Sequence, residues 1–267
     1  MDLNPEEVER AFGTVYYGGQ TEQAMEAFKE RWGGLTEEAF TTALQKGTAE
    51  EKALALLALS YSNAPQAQTL HSEHLEASEP LERWTSASGL GEKKDERALP
   101  VLTALLLEFL PPRMHSLERE GGRCHFWRIK AAALLGAWGR GDLAPALRHA
   151  LEKVWRIEQA DQVERRHVWQ SYQDELVYAL GRMEAFGALT GFSLPRTRLQ
   201  LWLVLLACGS IQAREHDGDL LTQLQVNQEV KRKVARVLEQ RFGLSKEEQH
   251  SALEHYADAY FQRLEWG

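Results

Sequence analysis

Residues 83–106, RWTSASGLGEKKDERALPVLTALL, lie without a gap over residues 128–151, RIKAAALLGAWGRGDLAPALRHAL, and this superposition decides the fold. Arg83, Ala87, Leu90, Gly91, Pro100, Leu102 and Leu106 match Arg128, Ala132, Leu135, Gly136, Pro145, Leu147 and Leu151 at an offset of 45 residues. Each copy reads as a helix ending near a Leu-Gly pair, a short polar connection, and a second helix with Pro in its opening turn. Pro is tolerated there because that backbone N–H has no partner inside the helix. Leu180-Gly181 repeats the pair a further 45 residues on, and Lys52, Leu56, Leu59 and Ser60 form a fainter copy upstream. Ala87 and Ala132 let neighbouring helices approach closely while the leucines fill the layer between helix pairs. One pair cannot bury its own apolar face, so the pattern implies a stack.

Outside these copies the apolar residues recur at spacings of three and four, with scarcely any sustained alternation, so the chain reads as all-α. Gln23 to Trp32 forms an amphipathic stretch ending at Gly33-Gly34, and Thr36 caps the next helix with Glu37 and Glu38 in its first turn. Gly47 closes that helix and Thr48 opens another, in which Ala53, Leu54, Leu56, Leu57, Ala58 and Leu59 cover most of the circumference. Thr197 to Ala207, Asn227 to Phe242 and Lys246 to Leu264 read as three further helices, the last with Ser245 and Glu248 as a capping box.

The recurring Arg, Ala, Leu-Gly and, nine residues after the Gly, Pro resemble the HEAT-repeat family, most closely its short bacterial form. The resemblance is best over 82–157, weaker over 49–71 and 163–190, and undetectable in the first 45 residues. Gly141-Asp142 keeps the Gly-Asp of such repeats whereas Lys94-Asp95 replaces it in the preceding copy. The 15-residue connection Pro111 to His125 is longer than the usual turn. The resemblance implies a right-handed α-solenoid of HEAT-like helix pairs (an α-α superhelix) of roughly ten to twelve helices at about 45 residues per pair. It is expected to form a single domain over 1–267: a helical cap over 1–47, HEAT-like repeats over 48–190, and C-terminal helical repeats or cap over 191–267.

Charge narrows the function. The net charge is -8, so overall attraction to nucleic acid or anionic lipid is not expected. Residues 1–80 carry -9, 81–200 carry +3 and 201–267 carry -2, which confines any anion-seeking surface to the middle third. Two cysteines, Cys124 and Cys208, make no disulfide framework and no paired metal motif, as in a reducing cytoplasm. The acidic start Met-Asp-Leu-Asn-Pro-Glu-Glu leads into no signal-peptide apolar region, and neither Leu99–Leu110 nor Leu201–Cys208 approaches the roughly 20 residues of a membrane helix. A cytoplasmic protein is expected.

Several residues invite chemical readings. His71 and His74 would share a helix face with Glu73 or Glu76 nearby, but two ligands make no zinc site, and the alternative is a solvated helix end before Pro80. Cys124 beside His125 reads as an exposed thiol, and Cys208 as a small buried hydrophobe. The G-x-S-x-G, H-E-x-x-H, P-loop and Rossmann signatures are missing, which removes the positive case for catalysis, and no cofactor or metal is implied. The stretch 113–130 holds Arg113, Arg119, Arg123, Arg128 and Lys130 interleaved with Phe126 and Trp127, a composition enriched at binding hot spots. In the competing reading Trp127 caps the core and Arg128 fills the repeated Arg position. Arg165 and Arg166 beside Trp169 extend the candidate patch, with Trp169 expected to be exposed.

The leading expectation is a non-catalytic protein-protein interaction or scaffold module that binds a protein or peptide. An alternative, resting on the shared repeat alone, is similarity to the HEAT-like bilin lyases, which assist tetrapyrrole attachment to a partner. A third, resemblance to helical-repeat DNA glycosylases, is disfavoured because phosphate contacts demand a basic surface.

Overall fold

The computed structural model describes residues 21–61, 66–108, 121–160, 166–215 and 220–264. Among these the chain is all-α, with thirteen α-helices, three short 3-10 segments and no strand. The expected ten to twelve helices fall short of this count. By its contacts the chain separates into two compact units, residues 1–105 and 106–267. Among the described residues no helix is long and apolar enough to cross a membrane.

The first unit contains α1 (Thr21–Trp32), α2 (Glu37–Lys46), α3 (Ala49–Tyr61), α4 (Ala67–Glu73), α5 (Pro80–Glu92) and α6 (Leu99–Leu105). Its helix ends follow the cap chemistry of the sequence. Thr36 Oγ1 accepts from the Ala39 N–H at 3.2 Å, with Glu37 and Glu38 in the first turn. Thr48 and Glu51 form a reciprocal capping box: Thr48 N–H donates to Glu51 Oε2 at 2.9 Å and Glu51 N–H to Thr48 Oγ1 at 3.3 Å. Ala53 to Leu59 are all buried, so α3 is apolar all round and packs against α1, α2, α4 and α5. Phe28 of α1 stacks on Phe40 of α2 with ring centroids 4.6 Å apart.

The second unit contains α7 (Gly121–Trp138), α8 (Ala144–Ala160), α9 (Arg166–Arg182), α10 (Arg196–Glu215), α11 (Leu220–Val226), α12 (Gln228–Phe242) and α13 (Lys246–Leu264). Central α9 packs against α7, α8 and α10, and α10 in turn against α11, α12 and α13. The spacing predicts the end of α10 at Ala207, yet the helix continues through Gly209 to Glu215. Gly209 is a contact residue there: a Cβ on it would lie 2.3 Å from the Tyr178 carbonyl oxygen of α9. A Cβ on Gly181 of α9 would likewise lie 2.4 Å from the Leu206 carbonyl oxygen of α10, and one on Gly136 of α7 2.7 Å from Ala179 Cβ. Three glycines thus set the helix spacing in this unit. Gly121 to His125 belong to α7, which shortens the connection expected over 111–125.

The 45-residue recurrence has a backbone counterpart. Three residues after each Leu-Gly pair the chain turns left-handed, with φ of 54° at Lys94, 66° at Gly139 and 53° at Glu184. A 3-10 segment follows each time: Glu96–Ala98, Gly141–Leu143 and Phe186–Leu189. Asp95 N–H reaches the Leu90 carbonyl at 3.0 Å and Ala185 N–H the Leu180 carbonyl at 3.0 Å, satisfying equivalent helix-end acceptors. The recurrent arginines also do one job, tying down the backbone that precedes their helix: Arg83 Nη1 donates to the Ala77 carbonyl at 2.9 Å, and Arg128 Nε to the Glu108 carbonyl at 3.1 Å.

Two substitutions test this packing by urea denaturation. Gly181→Val should cost about 3 kcal/mol, because its side chain meets backbone that cannot yield, while Gly187→Ala, with open space around it, should stay within about 0.5 kcal/mol of wild type. Lys94→Gly should raise stability by up to about 1 kcal/mol by relieving a left-handed non-glycine residue; a loss there would contradict the turn geometry.

Candidate functional site

A polar ladder crosses the second unit where α8, α9 and α10 meet. Trp155 and Glu158 stand one turn apart near the end of α8, Gln170, Gln173 and Asp174 share a face of α9, and Arg198 and Trp202 share a face of α10. Glu158 is 8% exposed, Gln173 0% and Asp174 5%, so their polar atoms need partners. Glu158 Oε2 accepts from Gln173 Nε2 at 2.7 Å and Oε1 from Gln170 Nε2 at 3.4 Å. Gln173 Oε1 accepts from Arg198 Nη2 at 2.6 Å, which places a neutral amide between the carboxylate and the guanidinium.

Arg198 has its own counter-charge. Its Nη2 lies 3.5 Å from Asp174 Oδ1, which also accepts from Trp202 Nε1 at 2.9 Å. The guanidinium lies over the Trp202 ring, 5.1 Å from its centroid, and Trp202 meets Trp155 and Phe192 edge to face at 5.7 and 5.9 Å. Of these residues Trp155, Glu158, Gln170 and Arg198 line an open groove of about 480 Å³, whose walls also include Thr197, His255 and Asp258. A second groove of about 400 Å³ lies between α11, α12 and α13, with Lys231, Arg232 and His250 on its walls.

Most of the patch expected from sequence falls outside the described side chains. Arg113, Arg119 and Arg165 lie outside the described residues, as do the side chains of Arg123 in α7 and Arg166 in α9. Trp169, expected to be exposed, is fully buried, because it lies on the inward face of α9 together with Tyr172 and Leu176. Trp127 is 4% exposed and edge-on to Phe126, in keeping with the core-capping reading. Arg128 is fully buried on the Glu108 carbonyl and presents no charge to a partner. Cys208 is buried, and burial pushes its thiol pKa up.

Glu158, Gln173, Asp174 and Arg198 escaped the sequence reading. One signal was present: Gln173 stands at the repeat position of Arg128, a departure that swaps a backbone tie for a side-chain bridge.

In the first unit, His71 is 2% exposed with Nε2 3.2 Å from Ser60 Oγ, while His74 Nδ1 pairs with the Glu82 carboxylate. Ser60 Oγ donates to the Leu56 carbonyl at 3.0 Å and so accepts from His71 Nε2–H, leaving Nδ1 buried without a partner among the described residues. A serine nucleophile needs the opposite direction, an imidazole that takes the hydroxyl proton. Among the described residues no group of three His, Cys, Asp or Glu side chains could hold a metal ion.

No protein-family model, curated protein or solved structure matches the chain. The resemblance to HEAT repeats therefore rests on the recurrent residues.

Burial, with a smaller contribution from His74, lowers the His71 pKa to about 4. The unfolded chain then binds a proton near pH 6.5 that the folded chain refuses, so this contribution is complete above pH 6.5 and is lost as pH falls toward 4, by about 3 kcal/mol in all. Urea midpoints of wild type and His71→Phe between pH 7.5 and 4.5 should diverge accordingly, with the steeper acid loss in wild type; parallel profiles would contradict the buried neutral imidazole.

Proposed function

We propose that the protein is a non-catalytic interaction module of HEAT-like helical-repeat type, a right-handed solenoid of helix pairs, that holds a polypeptide partner in the groove between α8, α10 and α13. The observation that carries this reading is the combination of an open mouth with a rigid, hydrogen-bonded floor. An enzyme pocket for a small molecule is typically concave enough to bury most of its ligand, whereas this groove leaves a ligand accessible along its length. Of the Glu158–Gln173–Arg198–Asp174–Trp202 chain, Glu158 and Arg198 line the groove and the buried Gln173 and Asp174 hold them in place, so a partner meets preset polar groups and pays little ordering cost on this side. Trp155 and Arg198 on the walls are residue types that dominate binding energy at interfaces.

The test begins with affinity capture from native extract, identification of any stoichiometric protein, and remeasurement with purified components. Thr197→Arg places a bulky charge at the exposed mouth of the groove and should weaken that complex at least tenfold with an unchanged circular dichroism spectrum. Undiminished binding by Thr197→Arg, together with loss in Arg119→Ala, Arg123→Ala, would move the site to the 113–130 stretch and overturn the groove reading.

A further inference from the structure

The groove's charges are unequally matched, and this asymmetry bears on what the partner inserts. Arg198 is compensated by Asp174, and the stacked Trp202 ring adds to its stabilisation. Among the described residues Glu158 has no such match: its two oxygens accept from the amides of Gln170 and Gln173, and none of its hydrogen-bond or ion-pair partners there is a cation. A carboxylate removed from water and held by neutral donors alone is stabilised further by any cation brought within reach. Asp258, exposed on the facing wall, adds a second negative charge, and Trp155, one turn before Glu158, also lines the groove.

We infer that the groove accepts a basic side chain, a lysine or arginine of the partner polypeptide, with Glu158 as its buried counter-charge, the Trp155 ring beside it and Asp258 at the mouth. This rests on the groove being the docking surface. Carboxylate and indole together recognise a cation by charge and by the ring's quadrupole, tryptophan being the strongest of the aromatic partners. A polypeptide fits better than a free small amine because a space of about 480 Å³ takes a basic side chain with its neighbours, whereas a small amine would leave much of it to water. Arg198 disfavours a second cation deeper in the floor, so a single basic residue is the anchor.

The probes are capped pentapeptides Gly-Ala-X-Ala-Gly with X as Arg, Lys, norleucine or Glu, and free spermidine. The readout is the Trp155 indole N–H resonance, assigned by its loss in Trp155→Phe. The Arg and Lys peptides should shift it saturably at millimolar concentration and more weakly as salt rises, the norleucine and Glu peptides should leave it in place, and spermidine should bind at least severalfold more weakly than the Arg peptide. Glu158→Gln keeps the side chain's size and should weaken the Arg peptide about tenfold; Asp258→Asn, at an exposed position that leaves folding intact, should weaken it about threefold.

An equal response to norleucine, a response to spermidine matching the Arg peptide, or unchanged affinity in both variants would overturn the inference. The purified partner separates the two claims. Loss with Thr197→Arg but retention with Glu158→Gln and Asp258→Asn keeps the groove as docking surface and refutes the basic anchor, whereas retention with Thr197→Arg refutes the docking surface itself.

Discussion

Close backbone contact between α9 and its neighbours is the constraint on which the second unit depends. Gly136 lets α7 settle on Ala179, and Gly181 and Gly209 let α9 and α10 meet carbonyl to Cα with no side chain between them. At such separations dispersion contacts are dense and the two helices cannot slide without a clash, so their relative register is fixed. That register brings Gln173 and Asp174 of α9 opposite Arg198 and Trp202 of α10. The hydrogen bonds of this network depend on closely held positions, and among the described residues Arg198 Nε is left buried without a partner in it. The groove floor is therefore a consequence of glycines located a turn or more away.

The first unit solves a related problem with different chemistry. Gly89 of α5 makes room for the His71 ring and the Ser60 hydroxyl, where a Cβ would lie 2.4 Å from His71 Nε2. The space vacated by a side chain is filled by a buried imidazole instead of a second helix backbone, and that substitution brings a titratable group into the core. The two units share the recurring helix end with its left-handed residue and its 3-10 segment, yet differ in what the glycine admits.

Much of this fold is legible in the residues. Thr36, Thr48, Ser245 and Asn227 cap the helices their types announce, because capping is a local bargain between a side chain and N–H groups two or three residues away. The Leu-Gly recurrence is legible for the same reason, being a linear signal. Gly209 misleads a linear reading, since a glycine that ends a helix and one that admits a neighbour look alike in sequence. Trp169 misleads through its charged flanks, which say nothing of the helix face on which the indole itself stands. Glu158, Gln173 and Arg198 are drawn from three helices and become a site only once those helices are packed, so no spacing rule reaches them.

Native-state hydrogen exchange tests most directly whether the α9–α10 contact governs the unit. Amides of Leu176 to Gly181 and Val204 to Ile211 should exchange only through the largest opening of the unit, with closely similar opening free energies. Amides of α12, a helix with Val230, Val234 and Leu238 as its buried residues, should exchange through smaller, independent openings. Exchange from α9 and α10 as fast as from α12, or at unrelated opening energies in the two facing segments, would contradict the account.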